Sequence, residues 1–221
     1  MKTISLITRR DDVTRDEFRD YYEQQHAELA MRYFPYQRYT RNHVLGDAAP
    51  GFDCISEFGM TDAFRANAGN VMESESRARL LADELKFMRP ECIRVALVDE
   101  LMLKPAPASS LALSRGGVRS ALLYNAARGA DIDSDRIQTQ LLPLLTGAAC
   151  LNSASLDIVR HRADSPFPFD AVLWLSFNGE ACSDALLAQL RQLNGLRHEI
   201  EVATFATPLR ELQDRFEAYL P

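Results

Sequence analysis

The stretch that decides the fold is residues 14–33, TRDEFRDYYEQQHAELAMRY, which predicts a helix over about 15–32. Thr14 and Glu17 have the spacing of a capping box, in which the hydroxyl accepts from the Glu17 amide and the carboxylate reaches back to the Thr14 amide. Val13 can pack on Phe18 as a hydrophobic staple. On a regular helical projection, one face of this helix collects Phe18, Tyr22, His26, Leu29 and Tyr33. We therefore expect a histidine on the buried face of the first helix.

Around this helix, the sequence patterns alternate between strand and helix periodicity. Apolar residues at every second position indicate strands, and a proline at position 90 ends the second helix. The predicted strands are 3–9, 38–45, 52–60 and 93–103, and the second helix is 72–88. The order of elements in the first half is therefore β-α-β-β-α-β.

The second half of the chain has the same order of elements. Strands are predicted at 118–126, 156–162, 169–177 and 199–207, and helices at 134–145 and 183–196. Proline and small residues at 104–117 are typical of a linker. Phe169-Asp170 repeats Phe52-Asp53 at the start of the corresponding strand. We expect a degenerate tandem repeat, with one unit at 1–103, a linker at 104–117 and a second unit at 118–221.

The repeat predicts an α+β fold. A β-α-β-β-α-β unit forms an antiparallel sheet with its helices on one face, so the other face needs a cover. Two tandem ferredoxin-like units packed sheet to sheet would supply it, as an intramolecular version of a dimeric α+β barrel with a cavity between the sheets. Strand alternation then turns Phe52, Cys54 and Phe58 toward the helices. It turns Asp53, Ile55 and Glu57 toward the opposite sheet, and in the second unit it turns the single tryptophan, Trp174, the same way.

Composition excludes several classes of protein. The 221 residues carry a formal charge of −6, so there is no excess of basic residues with which to bind nucleic acid. No apolar run reaches the roughly 18–20 residues of a membrane helix. We expect a cytoplasmic protein without a membrane partner. The cysteines at 54, 92, 150 and 182 lack Cys-x-x-Cys spacing, which predicts inert thiols.

Candidate acid/base residues centre on His26. A buried histidine needs a partner, and Asp53 or Glu84 are the candidate carboxylates that would orient it. The alternative interpretation is a structural histidine satisfied by one hydrogen bond, and Asp53 or Glu84 would then serve a turn or a salt bridge. Candidate substrate-binding residues are Tyr22, Tyr39, Asn42, His43 and Trp174. The pattern does not decide which side of strand 38–45 faces a cavity.

Motifs for other chemistries are absent from the sequence. It contains no Gly-x-Ser-x-Gly, phosphate-loop or dinucleotide-binding glycine pattern, and no His-x-x-x-His spacing for a metal. We therefore expect neither a metal nor a cofactor.

Several segments resemble the EthD family of dimeric α+β barrel proteins. The helix-one signature is matched by Thr14 to Tyr22 with His26-Ala27-Glu28-Leu29, where the family usually has proline in place of Glu28. Segments 38–44, 52–53 and 83–88 follow in the family order. In the second half, Leu145 stands at the position that aligns with His26, so the second unit resembles a structural partner that has lost the histidine.

The resemblance implies a pocket for a small hydrophobic, aromatic or polyketide-like ligand. With His26 as the proton-transfer group, it implies a cofactor-independent enzyme of lyase or cyclase type that catalyses dehydration or decarboxylation. Two alternatives stay open: a non-catalytic accessory protein that binds a hydrophobic metabolite in a degradative pathway, and a cofactor-free monooxygenase. A homodimer of such chains is a further option. Similarity of fold by itself decides none of these.

Overall fold

The computed structural model of the chain describes residues 2–46, 48, 50–106, 117–125, 134–178, 183–193 and 195–221. Its strands are β1 (Lys2–Ile7), β2 (Tyr36–Val44), β3 (Cys54–Met60), β4 (Arg94–Lys104), β5 (Gly117–Tyr124), β6 (Leu151–Arg160), β7 (Ala171–Phe177) and β8 (Leu196–Ala206). Its α-helices are α1 (Arg15–Tyr21), α2 (Ala27–Tyr33), α3 (Asp62–Asn67), α4 (Glu75–Glu84), α5 (Ser134–Thr146), α6 (Ser183–Leu190) and α7 (Leu209–Arg215).

The strands pair antiparallel in the order β1-β3-β2-β8-β5-β7-β6-β4, which closes a barrel. The prediction of an α+β fold with a closed barrel is therefore confirmed. By contact density the chain divides into two units. The first contains Met1–His43, Gly51–Val95 and Phe205–Pro221, and the second contains Val44–Pro50 and Ala96–Thr204. Most of the predicted linker, residues 107–116, lies outside the described residues.

The core of the first unit lies between its helices and one face of its sheet. Cys54 and Phe58 on β3 contact the cluster that contains Phe18 and Phe87, so the predicted alternation of β3 is confirmed. Tyr39 on β2 lies in the same cluster, so the odd-numbered residues from Tyr39 onward face the helices. The register shift between Tyr36 and Arg38 brings Tyr36 to the same side. Burial of these aromatic and aliphatic side chains stabilises the unit.

The opposite face of the first unit's sheet carries buried polar groups. Lys2 Nζ and Glu57 Oε2 form an ion pair at 2.6 Å. The amide of Asn42 donates to the Ile55 carbonyl at 2.9 Å and to Glu57 Oε1 at 3.0 Å. These contacts give Asn42 and Glu57 hydrogen-bond or ion-pair partners on the side of the sheet away from the helices.

One turn of π-helix, Tyr22–His26, joins α1 to α2 without a break. The Ala27 amide donates to the Tyr22 carbonyl, five residues back, so this turn holds one residue more than an α-helical turn. Beyond it the buried positions are Ala27, Ala30 and Met31, whereas Leu29, which regular periodicity placed on the buried face, is half-buried. The extra residue therefore shifts the apolar face and leaves His26 buried as well.

The second unit has an apolar core of its own. Leu145 on α5 is fully buried there, with Leu173 and Leu175 of β7. On the other side of β7, Trp174 donates to Asp157 at 2.7 Å, and the Arg119 guanidinium lies 4.3 Å from the centre of the indole ring.

The C-terminal segment, which the sequence patterns do not predict as structured, belongs to the first unit. After α7, Leu220 forms two hydrogen bonds with Ser76. The Leu220 carbonyl accepts from the Ser76 amide at 3.1 Å, and the Leu220 amide donates to the Ser76 hydroxyl at 2.8 Å. The Tyr219 hydroxyl donates to the Ala68 carbonyl at 2.9 Å. These bonds hold the start of α4, the helix that carries several polar groups of the site.

The cysteines only partly follow the expectation of inert thiols. Cys54 is buried and free, and burial raises the pKa of its thiol. Cys92 is also free, whereas Cys150 takes part in a disulfide, which corrects the prediction for that position. Cys182 lies outside the described residues.

No helix in the described part of the chain is long and apolar enough to cross a membrane.

The predicted capping box is present at the start of α1. The Thr14 hydroxyl accepts from the Glu17 amide at 3.2 Å, and the Thr14 amide donates to the Glu17 carboxylate at 2.9 Å. We expect Thr14→Ala to lower the free energy of unfolding by about 1 kcal/mol, because a helix amide loses its partner. Urea denaturation measures this loss. Arg210→Ala, a change at an exposed side chain of α7, is the control; an equal loss in both variants would contradict the assignment.

Candidate functional site

A cavity of about 450 Å³ lies within the first unit, between its helices and the helix-facing side of its sheet. Its polar lining consists of Ser5, Tyr22, His26, Tyr36, Tyr39, Ser56, Arg77 and Glu84. Its apolar lining consists of Ile7, Phe34, Phe58, Met60, Val71, Met72, Leu80, Met88, Pro90, Ile93 and Val95. Strand alternation predicts a cavity on the other face of this sheet, whereas this cavity lies on the helix side. The volume falls within the range of small-molecule sites.

His26 is held by Asp83 of α4. Its Nδ1 lies 3.0 Å from Asp83 Oδ2, and both side chains are buried. The Tyr22 and Phe87 rings lie against the imidazole, with centroids 5.1 and 5.2 Å away. No described residue forms a hydrogen bond with His26 Nε2. One edge of the ring is thus fixed by a carboxylate, while the ring itself lines the cavity.

Asp83 is a carboxylate with three hydrogen-bond partners. Besides His26, it accepts from the Tyr21 hydroxyl at 2.7 Å and from Lys86 Nζ at 3.0 Å. Burial favours the neutral acid, but these hydrogen bonds outweigh it and hold the pKa of Asp83 well below its usual range. Because an ionised carboxylate only accepts, the neutral imidazole must carry its proton on Nδ1. His26 Nε2 is then the basic nitrogen.

Three tyrosines line the cavity beside His26. The Tyr22 hydroxyl lies 2.8 Å from the Ser56 hydroxyl, and the ring of Tyr36 is stacked on that of Tyr39 with centroids 4.7 Å apart. Burial raises the pKa of all three phenols above the ordinary range. They therefore remain protonated at neutral pH, and each hydroxyl can donate one hydrogen bond.

Arg77 and Glu84 form an ion pair in the cavity wall, with Arg77 Nη2 2.9 Å from Glu84 Oε2. Both side chains are largely buried. Arg77 Nη1 is buried and has no hydrogen-bond partner in the described part of the chain. Leu80 lies between the two residues on the same face of α4 and also lines the cavity.

The structure separates some of the predicted site residues from His26. Asp53 accepts from the Arg9 amide at 3.0 Å and from Arg15 Nε at 3.0 Å, and it is not in the cavity wall. Asn42 lies on the other side of the sheet, bound to the Ile55 carbonyl. Glu84 lies in the cavity wall, but it pairs with Arg77 and not with His26.

His43 is buried behind the cavity and does not line it. Its Nε2 lies 2.7 Å from the carboxylate of Glu23, which also forms an ion pair with Arg41 at 2.7 Å. Burial lowers the pKa of His43. Burial raises the pKa of Glu23, but the hydrogen bonds from His43 and Arg41 outweigh this and leave it below the usual range. The cluster ties the π-helical turn to β2.

Tyr22 and Tyr39, which sequence analysis selected, lie in the cavity wall with His26, whereas Trp174 belongs to the second unit. Asp83, Arg77 and Tyr36 were not selected. Asp83 and Glu84 are adjacent, and the sequence does not show which carboxylate faces the first helix. In the part of the chain that is described, no three His, Cys, Asp or Glu side chains are grouped as a metal site would require.

The comparisons with known proteins agree with this architecture. Residues 10–91, somewhat more than a third of the chain, match the family model of the EthD domain. No curated protein matches the sequence.

Several solved structures share the fold. A candidate chlorite dismutase is 10% identical with a TM-score of 0.55, covering 96% of this chain and 97% of that one. An anthrone oxidase-like protein is 9% identical with a TM-score of 0.52, covering 93% and 92%. A candidate monooxygenase from Fusobacterium nucleatum subsp. nucleatum is 8% identical with a TM-score of 0.53, covering 92% and 91%. At these identities the likeness is one of fold only.

Proposed function

We propose that this chain, whose residues 10–91 match the family model of the EthD domain, is a cofactor-independent acid/base enzyme acting on a small hydrophobic aromatic or polyketide-like compound. The reaction is of lyase or cyclase type, with dehydration and decarboxylation as the leading forms. One observation carries the proposal: a histidine oriented by a buried carboxylate lines a largely apolar cavity.

The chemistry follows from the two nitrogens of His26. Nδ1 donates to Asp83, so Nε2 is the atom that takes a proton from the ligand. The imidazolium that forms lies against the Asp83 carboxylate, which stabilises its charge. Dehydration ends when the same proton returns to a leaving hydroxyl and water departs, so the proton balance closes without an oxidant or a reductant.

The phenols of Tyr22 and Tyr39 serve the oxygen of the ligand. When a proton leaves a phenol or a carbon next to a carbonyl, negative charge develops on oxygen. Protonated phenols in a buried wall donate hydrogen bonds to that oxygen more strongly than water does, because the surroundings are less polar. The proposal assigns Tyr22 and Tyr39 to this role.

Turnover under nitrogen tests this function. Purified protein is mixed with hydroxylated aromatic ketones and with poly-β-ketone mimics, and the products are followed by mass spectrometry. We expect loss of water or carbon dioxide at the same rate with and without dioxygen. Stoichiometric uptake of dioxygen would favour the monooxygenase alternative. Tight binding without turnover of any compound would favour the accessory protein, which the apolar lining of the cavity also suits.

We also propose that the two halves are degenerate tandem ferredoxin-like units. The support is the order of elements, because β5-α5-β6-β7-α6-β8 repeats the strand and helix order of the first half. The proposal assigns proton transfer to the first unit alone, since Leu145 of the second unit is a buried core residue.

A further inference from the structure

The cavity has a second polar end that the proposed proton transfer does not use. Arg77 and Glu84 lie one above the other on α4, with Leu80 between them, and all three line the cavity. The Arg77 guanidinium reaches along the helix to the Glu84 carboxylate, whereas Asp83, the neighbour of Glu84 in the sequence, holds His26. The ion pair and the histidine are thus separate polar groups of one cavity, and a single ligand can contact both.

Arg77 has an unused donor at this end. Its Nη2 is occupied by Glu84 Oε2, whereas Nη1 is buried with no hydrogen-bond partner among the residues described. An unpaired buried N–H is unfavourable, so such groups usually have a partner in the working state of a protein. The structure supplies the donor and the cavity supplies the space for an acceptor beside it.

The charge of the pair decides which acceptor fits. Arg77 and Glu84 together are neutral, and most of the residues that line the cavity are apolar. A carboxylate ligand would bring an uncompensated negative charge next to Glu84, which is costly in a poorly solvated site. A carbonyl oxygen accepts from a guanidinium without adding charge.

We propose that Arg77 and Glu84 form the specificity end of the cavity and select a neutral ligand that carries a carbonyl oxygen, which accepts from Arg77. Glu84 holds the guanidinium and disfavours anions. This assignment rests on the proposed function for its substrate class, because it takes the ligand to be an aromatic ketone that reaches His26 at its other end. It requires no turnover.

Three ligands of nearly equal size test the assignment by equilibrium dialysis. They are 2-acetonaphthone, which is neutral with a carbonyl; 2-isopropylnaphthalene, which has no oxygen; and 2-naphthoate, which is an anion. We expect the ketone to bind about tenfold or more tightly than the hydrocarbon, because a charge-assisted hydrogen bond is gained. We expect 2-naphthoate to bind more weakly than the ketone.

Two variants assign the effect to this pair. Arg77→Met should remove the preference for the ketone over the hydrocarbon, whereas Arg79→Met, on the exposed side of the same helix where it pairs with Glu75, should keep it. Glu84→Gln should strengthen the binding of 2-naphthoate about tenfold, because the end of the cavity then carries a net positive charge. If Arg77→Met does not fold, Arg77→Lys should lose most of the preference, because lysine lacks the planar fork.

Three results would overturn the assignment: tighter binding of 2-naphthoate than of the ketone to the unaltered protein, an unchanged ketone preference in Arg77→Met, or unchanged 2-naphthoate binding in Glu84→Gln. These outcomes are separate from failure of the proposed function. A protein that shows the ketone preference without turnover would contradict the enzyme and support the binding assignment. A protein that turns over its substrate but lacks the ketone preference would support the enzyme and contradict the binding assignment.

Discussion

His26→Gln should lower kcat by about 10²–10⁴-fold, the range over which a general acid or base usually contributes. Glutamine keeps the size and polarity of the side chain but offers no nitrogen that takes up a proton near neutral pH. Its amide can still reach Asp83, so the fold should be retained. Turnover of the substrate found in the anaerobic screen measures the effect, and circular dichroism checks the fold.

A second histidine provides the matched control for this experiment. His161 is about half exposed and lies beside Asp170 in the second unit, so His161→Gln removes a histidine paired with a carboxylate outside the cavity. We expect its kcat to stay within twofold of the unaltered protein. If His26→Gln retained full turnover, His26 would be a structural residue.

Asp83→Asn should lower kcat about 10²-fold while leaving the cavity intact. Asparagine can donate to His26 Nδ1, which would favour the tautomer with the proton on Nε2 and remove the base. Because Asp83 acts through His26, the informative readout is the split between kcat and KM. KM should change little, since Asp83 is not in the cavity wall. A merely structural Asp83 would change stability without lowering the kcat of the folded variant.

The same substitution has a predictable effect on acid stability. The folded-state pKa of Asp83 lies well below its value of about 3.9 in an unfolded chain. Its stabilising contribution is therefore present above pH 3.9 and is lost as the pH falls through the folded-state value. Asp83→Asn should be less stable at pH 7, and the difference from the unaltered protein should shrink as the pH falls below about 4. A difference that stayed constant down to pH 2 would contradict this.

Local sequence patterns predicted the elements of the fold because each element has a short-range cause. The Thr14 capping box and the alternation of β3 are read within a few residues, and both are confirmed. The π-helical turn is different, since no residue type marks an extra residue in a helix. The regular projection placed His26 on the buried face, and Leu29 packs against the same core, but the projection missed the fuller burial of Ala27, Ala30 and Met31.

The partners of the site residues depend on distances that the sequence does not contain. His26 and Asp83 are 57 positions apart in the sequence. The rotation of α4 about its axis decides that Asp83, not Glu84, contacts the imidazole. Asp53 was an equally reasonable candidate from its residue type, but Arg9 and Arg15 hold it elsewhere. Residue type identified the histidine, and only the fold identified its carboxylate.

The π-helical turn also changes how the two halves of the chain should be aligned. A five-residue step from Tyr22 to Ala27 replaces the four-residue step of α5, where Leu141 and Leu145 are both buried. If Tyr22 corresponds to Leu141, then Leu145 corresponds to Ala27, and His26 has no counterpart in the second half. The two halves should accordingly be aligned with a one-residue gap at this turn, so that the histidine is an insertion in the first half rather than a substitution in the second.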